Sequence, residues 1–162
     1  MIDLTYLNGV PDENELKSVI APHICGNFNI LRTPNGKPYI DGDPVYFSLS
    51  HSKNVTVIAI SDEPVGVDLE FTGRKKYSAI LSRFTARERA EITDETDFLH
   101  AWVAKESFIK TVGGTLAHDL KRLEYYGGKI YCDGKHQPCK IRFEYPENSG
   151  ICAICTGQRK IL

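Results

Sequence analysis

Phe98, Ala101, Trp102, Lys105, Ile109 and Val112 recur at steps of three and four, which lays them along one side of an α-helix for about four turns. Gly113-Gly114 then stops it. A helix with so apolar a stripe must be covered, and the sequence on both sides of it supplies short runs of strand character rather than more helices. Before it stand Phe28-Asn-Ile-Leu31, Pro38-Tyr-Ile40, Val45-Tyr-Phe47, Val55 to Ile60 and Val65 to Leu69. Turn chemistry at Thr33-Pro-Asn-Gly36, Asp41-Gly-Asp-Pro44 and Asp62-Glu-Pro64 separates them, so this region predicts an antiparallel meander. After the helix come Leu120 to Tyr126, Lys129 to Cys132, Cys139 to Tyr145 and Gly150 to Thr156, parted by Gly-Gly, Asp-Gly-Lys and Pro-Glu-Asn. These predict a second meander. The order strands, helices, strands implies an α+β fold.

Two shorter helical segments complete the expectation. Pro11-Asp-Glu-Asn-Glu is acidic and led by proline, which suits the first turn of a short helix from about Asp12 to Val19 or Ile20. Ile80, Leu81 and Phe84 precede Thr85-Ala-Arg-Glu88, a capping-box pattern that starts another helix. The chain has 162 residues, 41% hydrophobic and 25% charged, enough to bury one core and too few for several domains. Its net charge of −1 supplies no global field for nucleic acid or anionic lipid. Met1 to Asn8 has no basic leader pattern, and no apolar run reaches the roughly 18 residues of a membrane span. A cytoplasmic protein without nucleic-acid or membrane partners is expected. Of the five cysteines, Cys152 and Cys155 stand at a zinc-like spacing, but in a strand-like run without the turn a metal knuckle needs. They read as buried, reduced thiols.

Chemistry concentrates at four places. In Gly66-Val-Asp-Leu-Glu70, Asp68 and Glu70 lie two apart on a strand and point the same way, a half-site for a divalent cation or else a solvated strand face. In Lys105-Glu-Ser-Phe-Ile-Lys110, Glu106 and Lys110 are four apart on the long helix. They form a surface ion pair or, at the edge of the buried stripe, a third oxygen ligand and a phosphate partner. Ser48-Leu-Ser-His-Ser52 is expected in a loop after a strand. It lacks a serine-hydrolase elbow and offers hydroxyls and His51 as donors to a phosphate. Gly36-Lys-Pro38 adds a cation ahead of it.

Taken together, Gly36-Lys-Pro38, Phe47-Ser-Leu-Ser-His-Ser52, Gly66-Val-Asp-Leu-Glu70, Arg83-Phe-Thr-Ala-Arg-Glu88 and Trp102-Val-Ala-Lys-Glu-Ser-Phe-Ile-Lys110 resemble the 4′-phosphopantetheinyl transferase superfamily, in the order and spacing of its surfactin-synthetase-activating type. The resemblance implies two similar α+β halves, here about residues 1–61 and 62–162, with the active site in the cleft between them. It implies Mg²⁺-dependent transfer of the 4′-phosphopantetheine arm of coenzyme A to a serine of an acyl or peptidyl carrier protein, releasing adenosine 3′,5′-bisphosphate, in fatty acid, polyketide or nonribosomal peptide biosynthesis. Asp68, Glu70 and Glu106 would hold Mg²⁺, or Mn²⁺, with Glu106 also the base toward the carrier serine and Lys110 the pyrophosphate partner. Lys37 and Pro38 would line the adenine and ribose side, and Ser50 and His51 would meet the 3′-phosphate.

Departures from the family pattern are specific. Only 35 residues precede Gly36, and among them Lys17 and Arg32 are the only Lys or Arg, so the basic clamp expected ahead of the Gly-Lys-Pro motif is abbreviated. Both Ser-His-Ser and Asp-x-Glu stand in one chain, which favours two halves in cis over a site shared between subunits, as a monomer or small homo-oligomer. Arg74-Lys-Lys76, Arg83, Arg87 and Arg89 form a basic stretch suited to steering an acidic carrier protein. Two other readings compete: a catalytically silent module that binds coenzyme A or a carrier protein, and a Mg²⁺-dependent phosphohydrolase.

Overall fold

The computed structural model describes residues 1–42, 44–73, 77–147 and 149–157. Asp43 and Asn148, in two of the expected turns, and Arg74-Lys-Lys76 lie outside the described residues. The first element is a strand that the sequence did not announce, β1 (Ile2–Asn8). It is found by pairing: β1 lies antiparallel to β5 (Val55–Ser61), which lies antiparallel to β4 (Tyr46–Ser52), in the order β1-β5-β4. Between them in sequence, β2 (Ile30–Arg32) and β3 (Pro38–Ile40) form a hairpin. The Gly36 N–H donates to the Thr33 carbonyl at 2.8 Å, and Gly36 has φ 82°, a left-handed value that favours glycine. Helix α1 (Glu13–Ile20) starts at Asp12, whose side chain and that of Glu15 form a reciprocal capping box. Its Leu16 and Ile20 pack on Phe47, Ile58 and Ile60 of the first sheet.

The expected single meander divides after β5. Strand β6 (Val65–Phe71) pairs not with β5 but with β11 (Gly150–Gly157), in a second antiparallel sheet of order β10-β11-β6 that includes β10 (Cys139–Glu144). Burial explains the departure. Val67, Leu69 and Phe71 pack with Val57, Ala59, Cys152 and Ile154 between the two sheets, while Gly66 and Asp68 face a helix on the other side, so β6 is covered on both faces. The second meander divides as well. β7 (Leu123–Tyr126), β8 (Lys129–Cys132) and β9 (Lys135–His136) form a small sheet of their own. Pro138, without an N–H, follows it and separates β9 from β10.

Helices α2 (Tyr77–Leu81) and α3 (Ala86–Glu91) lead into α4 (Glu95–Val112), and α5 (Leu116–Asp119) follows it. The capping box at Thr85 and Glu88 forms as the sequence predicts. Asp94 caps α4 by accepting from the Asp97 N–H at 2.9 Å, and Gly113 ends it with φ 74°. α4 is buried on more than one stripe. Phe98, Ala101, Trp102 and Val103 pack with Ile151 and Ala153 of β11, and Ala104, Phe108 and Ile109 with Cys155, Leu123 and Ile130. Each fully buried large side chain of this kind contributes roughly 1.5–3 kcal/mol. Between Ala101 and Thr111 only Glu106 and Lys110 are not buried.

The contact that fixes α4 on the second sheet is at Gly66. A Cβ there would stand 2.0 Å from the Ser107 carbonyl oxygen and 2.4 Å from the Thr111 nitrogen, so strand and helix touch backbone to backbone. The layers therefore run α1, first sheet, second sheet, α4, an α+β architecture with antiparallel sheets. The cysteines are free thiols. Cys152 faces the space between the sheets and Cys155 faces α4, so the pair does not converge. Among the described residues, no helix is long and apolar enough to cross a membrane.

Candidate active site

Strand alternation turns Asp68 and Glu70 toward α4, the face on which Gly66 touches the helix. α4 answers with Glu106 and, one turn later, Lys110, both half-buried. Lys110 Nζ lies 2.6 Å from Asp68 Oδ1, where it donates a charge-assisted hydrogen bond. Ser50 Oγ donates to the same Oδ1 at 2.8 Å. Asp68 Oδ2 is buried and has no hydrogen-bond partner among the described residues. Ser52 Oγ donates to Glu70 Oε2 at 2.9 Å. Among the described residues, no three His, Cys, Asp or Glu side chains are gathered closely enough to hold a metal ion as they stand.

The Ser-Leu-Ser-His-Ser run is not in a loop. It lies within β4, and its alternation sends Ser48, Ser50 and Ser52 to the inner face and His51 to the other. The serines meet the edge of β6: Val67 N–H donates to Ser48 Oγ at 3.1 Å and Leu69 N–H to Ser50 Oγ at 3.2 Å. Hydroxyls thus take the place of a neighbouring strand for amides that β11 does not pair. Ser50 is buried, whereas His51 is exposed on the outer face, two residues on from Leu49. Ser50 and His51 therefore do not form one corner, because a strand period of two separates adjacent side chains.

Lys37 is placed by the β2–β3 turn, but its ammonium points inward. Nζ donates to the carbonyls of Val65 (3.2 Å), Thr111 (3.1 Å) and Lys110. It therefore caps the carbonyl end of α4, the negative pole of the helix dipole, and ties it to the start of β6. Burial pulls its pKa down from 10.5 to about 8, against the pull of the three carbonyls, which favour the charged form. Asn35 Nδ2 adds a bond to the Gly113 carbonyl at 2.9 Å. The outer surfaces of Gly36, Lys37 and Pro38, with Arg32, Leu49, Lys110 and Gly113, line a cleft of about 490 Å³ that also reaches the first turn of α1.

One residue pair was hidden in plain view. Lys105, read from sequence as part of the apolar stripe, is completely buried and ion-paired to buried Glu88 at 2.9 Å. Its ammonium also sits 4.0 Å from the Phe84 ring centroid, and burial holds its pKa below the usual lysine range. Glu88 takes on three tasks: it caps α3 at Thr85, accepts from the Tyr125 N–H, and neutralises Lys105. A charge on an otherwise apolar helix stripe was the available signal, since it requires a partner.

The family model for the 4′-phosphopantetheinyl transferase superfamily matches residues 64–155, more than half the chain. A 4′-phosphopantetheinyl transferase of Bacillus subtilis is 30% identical over 137 residues, covering 75% of this chain and 60% of the relative. The 4′-phosphopantetheinyl transferase gsp of Aneurinibacillus migulanus is 36% identical over 95 residues, covering 54% of this chain and 40% of that one. The L-aminoadipate-semialdehyde dehydrogenase-phosphopantetheinyl transferase of Rattus norvegicus is 32% identical over 120 residues, covering 61% and 39%. The chain thus spans about 60% of the length of the Bacillus subtilis relatives it matches. The matched stretch runs from the turn before β6 into β11 and takes in α4 whole, the elements that carry Asp68, Glu70, Glu106 and Lys110, and by that match the chain belongs to the 4′-phosphopantetheinyl transferase superfamily.

Proposed function

We propose that this chain transfers the 4′-phosphopantetheine arm of coenzyme A to a serine hydroxyl of an acyl or peptidyl carrier protein, releasing adenosine 3′,5′-bisphosphate. The observation that carries the reading is Asp68: one oxygen is held by Lys110 and Ser50, and the other is buried with no partner among the described residues. A buried carboxylate oxygen left unpaired costs of order 1–3 kcal/mol or more, a cost that a divalent cation offsets. Hard oxygen donors from Asp68, Glu70 and Glu106 suit Mg²⁺ or Mn²⁺. When bound, such an ion supplies charge neutralisation at a pyrophosphate.

The chain's own residues do the remaining work. The cleft beside β3 and β4 takes the nucleotide end of coenzyme A, with the outer surface of Lys37 and Pro38 on its adenine and ribose side and exposed His51 toward the 3′-phosphate. Lys110 stands at the cleft wall with its ammonium already directed to the Asp68 carboxylate. There it meets the oxygen on which negative charge develops as the arm leaves. Glu106, half-buried one turn earlier, takes the proton of the incoming carrier serine at a carboxylate oxygen. Relatives named as transferases from bacteria and a mammal support the reading.

The test is mass spectrometry of an apo carrier protein incubated with coenzyme A, Mg²⁺ and this protein. Transfer gives a single mass gain equal to one phosphopantetheine. An unmodified carrier with intact coenzyme A overturns the reading in favour of a binding module, and loss of coenzyme A without carrier modification in favour of a hydrolase.

A further inference from the structure

We propose that Ser50 and Ser52 are positioning residues, whose hydroxyls aim the Asp68 and Glu70 carboxylates for a divalent cation; this deepens the transferase reading and rests on it. A serine hydroxyl has one proton to give and two lone pairs. Ser50 Oγ accepts from the Leu69 N–H at 3.2 Å and gives its proton to Asp68 Oδ1 at 2.8 Å. Buried at 7% exposure, it has no second proton for a phosphate.

The consequence at Asp68 is directional. Ser50 and Lys110 both donate to Oδ1, which fixes the carboxylate plane and leaves Oδ2 buried and, among the described residues, unpartnered. Two strand positions on, Ser52 Oγ donates to Glu70 Oε2 at 2.9 Å. Two carboxylates spaced i and i+2 on β6 are thus each held by a hydroxyl spaced i and i+2 on β4. Ser48, the first of the row, accepts from the Val67 N–H and so fixes the register in which the other two meet their carboxylates. The Ser-x-Ser-x-Ser period follows from this matching of two strands. The phosphate-facing part of the motif is left to His51 on the opposite face.

The experiment uses the full chain and Mn²⁺ as probe, titrated by isothermal calorimetry and by the loss of free-ion electron paramagnetic resonance signal. Transfer is measured alongside as a function of Mg²⁺. Ser50→Ala is expected to raise the Mn²⁺ midpoint and the Mg²⁺ activation midpoint together, by roughly 10-fold or more. The ratio of its affinities for coenzyme A and dephospho-coenzyme A should match that of the wild type. Ser52→Ala, at a half-buried position, is expected to shift both midpoints in the same direction. A folded Ser50→Ala protein with an unaltered Mn²⁺ midpoint overturns the inference, and so does selective loss of coenzyme A over dephospho-coenzyme A. A wild type that neither binds Mn²⁺ nor modifies a carrier overturns the transferase reading itself. A wild type that does both, beside an unchanged Ser50→Ala, overturns only the role given to the serines.

Discussion

Lys105 Nζ and Glu88 Oε1 lie 2.9 Å apart with both side chains completely shielded from solvent, joining the middle of α4, at the residue that precedes Glu106, to the first turn of α3. Breaking a buried pair by removing one partner leaves an uncompensated charge and costs about 3–5 kcal/mol. Glu88→Ala should fall at the upper end of that range, because it also strips the acceptor from the Thr85 and Tyr125 amides. Lys105→Met should cost less, since Glu88 keeps both backbone donors. Urea unfolding of the two variants checks the order, and a Lys105→Met protein less stable than Glu88→Ala contradicts it.

Lys37 gives a pH signature with a definite sign. Its folded pKa, about 8, lies below its unfolded value of 10.5, so between these the unfolded chain holds the proton more tightly. Stability therefore rises as pH goes from about 8 to 10.5 and is lost as pH falls back through 8, by an amount on the order of 3 kcal/mol. Comparing wild type with Lys37→Met by urea unfolding across that window isolates the contribution: the wild type should gain relative to the variant as pH rises. A flat difference would mean the amine is not held in its buried place.

Lys110 and the carboxylates should separate in their effects. Lys110→Met removes the cation competing at Asp68 Oδ1, so Mn²⁺ binding should be unweakened or tighter while carrier modification falls 10²-fold or more, the scale of losing one charge-stabilising donor. Asp68→Ala should lose both. Calorimetry and a carrier-modification assay on the same preparations distinguish the two patterns.

His51 is exposed on the outer face of β4, so His51→Ala should leave the melting temperature nearly unchanged. It should weaken coenzyme A more than dephospho-coenzyme A by roughly 1.5–3 kcal/mol, the range for a charge-assisted contact. Equal losses for the two ligands in calorimetric titration would place His51 away from the 3′-phosphate.

Thiol reactivity reports the packing independently. Cys25 is exposed and Cys139 half-exposed, whereas Cys132, Cys152 and Cys155 are buried. Burial pushes the Cys152 thiol up to about 12, and the hydrogen bond with Cys139 together with burial pushes Cys155 up as well. Ellman titration of the native protein should show Cys25 reacting first and Cys139 more slowly, with the remaining three released only on denaturation.

What was legible in the sequence followed the local rules. Gly113 closes α4, Asp12 and Thr85 open α1 and α3, and the expected hairpin turns lie where Gly-rich pairs stand. Partner choice between strands was not local. Val55 to Ile60 and Val65 to Leu69 have the same character, and only the demand of Gly66 for a helix and of Val67 and Leu69 for another sheet sends β6 to β11. The same blindness put Ser50 and His51 together in a loop. Neighbours in sequence suggest neighbours in space, although strand alternation parts them. Lys105 was read correctly as inward-facing, but its counter-ion lies 17 residues away on another helix, where no short-range pattern can find it.

Gly66 has a bearing on how such a site can be altered. Because β6 and α4 touch backbone to backbone at Gly66, the approach of the strand that carries Asp68 and Glu70 to the helix that carries Glu106 and Lys110 is set at that point by main-chain van der Waals radii. It cannot be widened or narrowed by exchanging one packing residue for another. Divergence in substrate preference must then be written in the loops and in the outer walls of the cleft, while the gap across which the two elements face one another stays the same. A designer seeking a larger acceptor should leave this strand and helix untouched and work on the turn that carries Lys37 and on the first turn of α1.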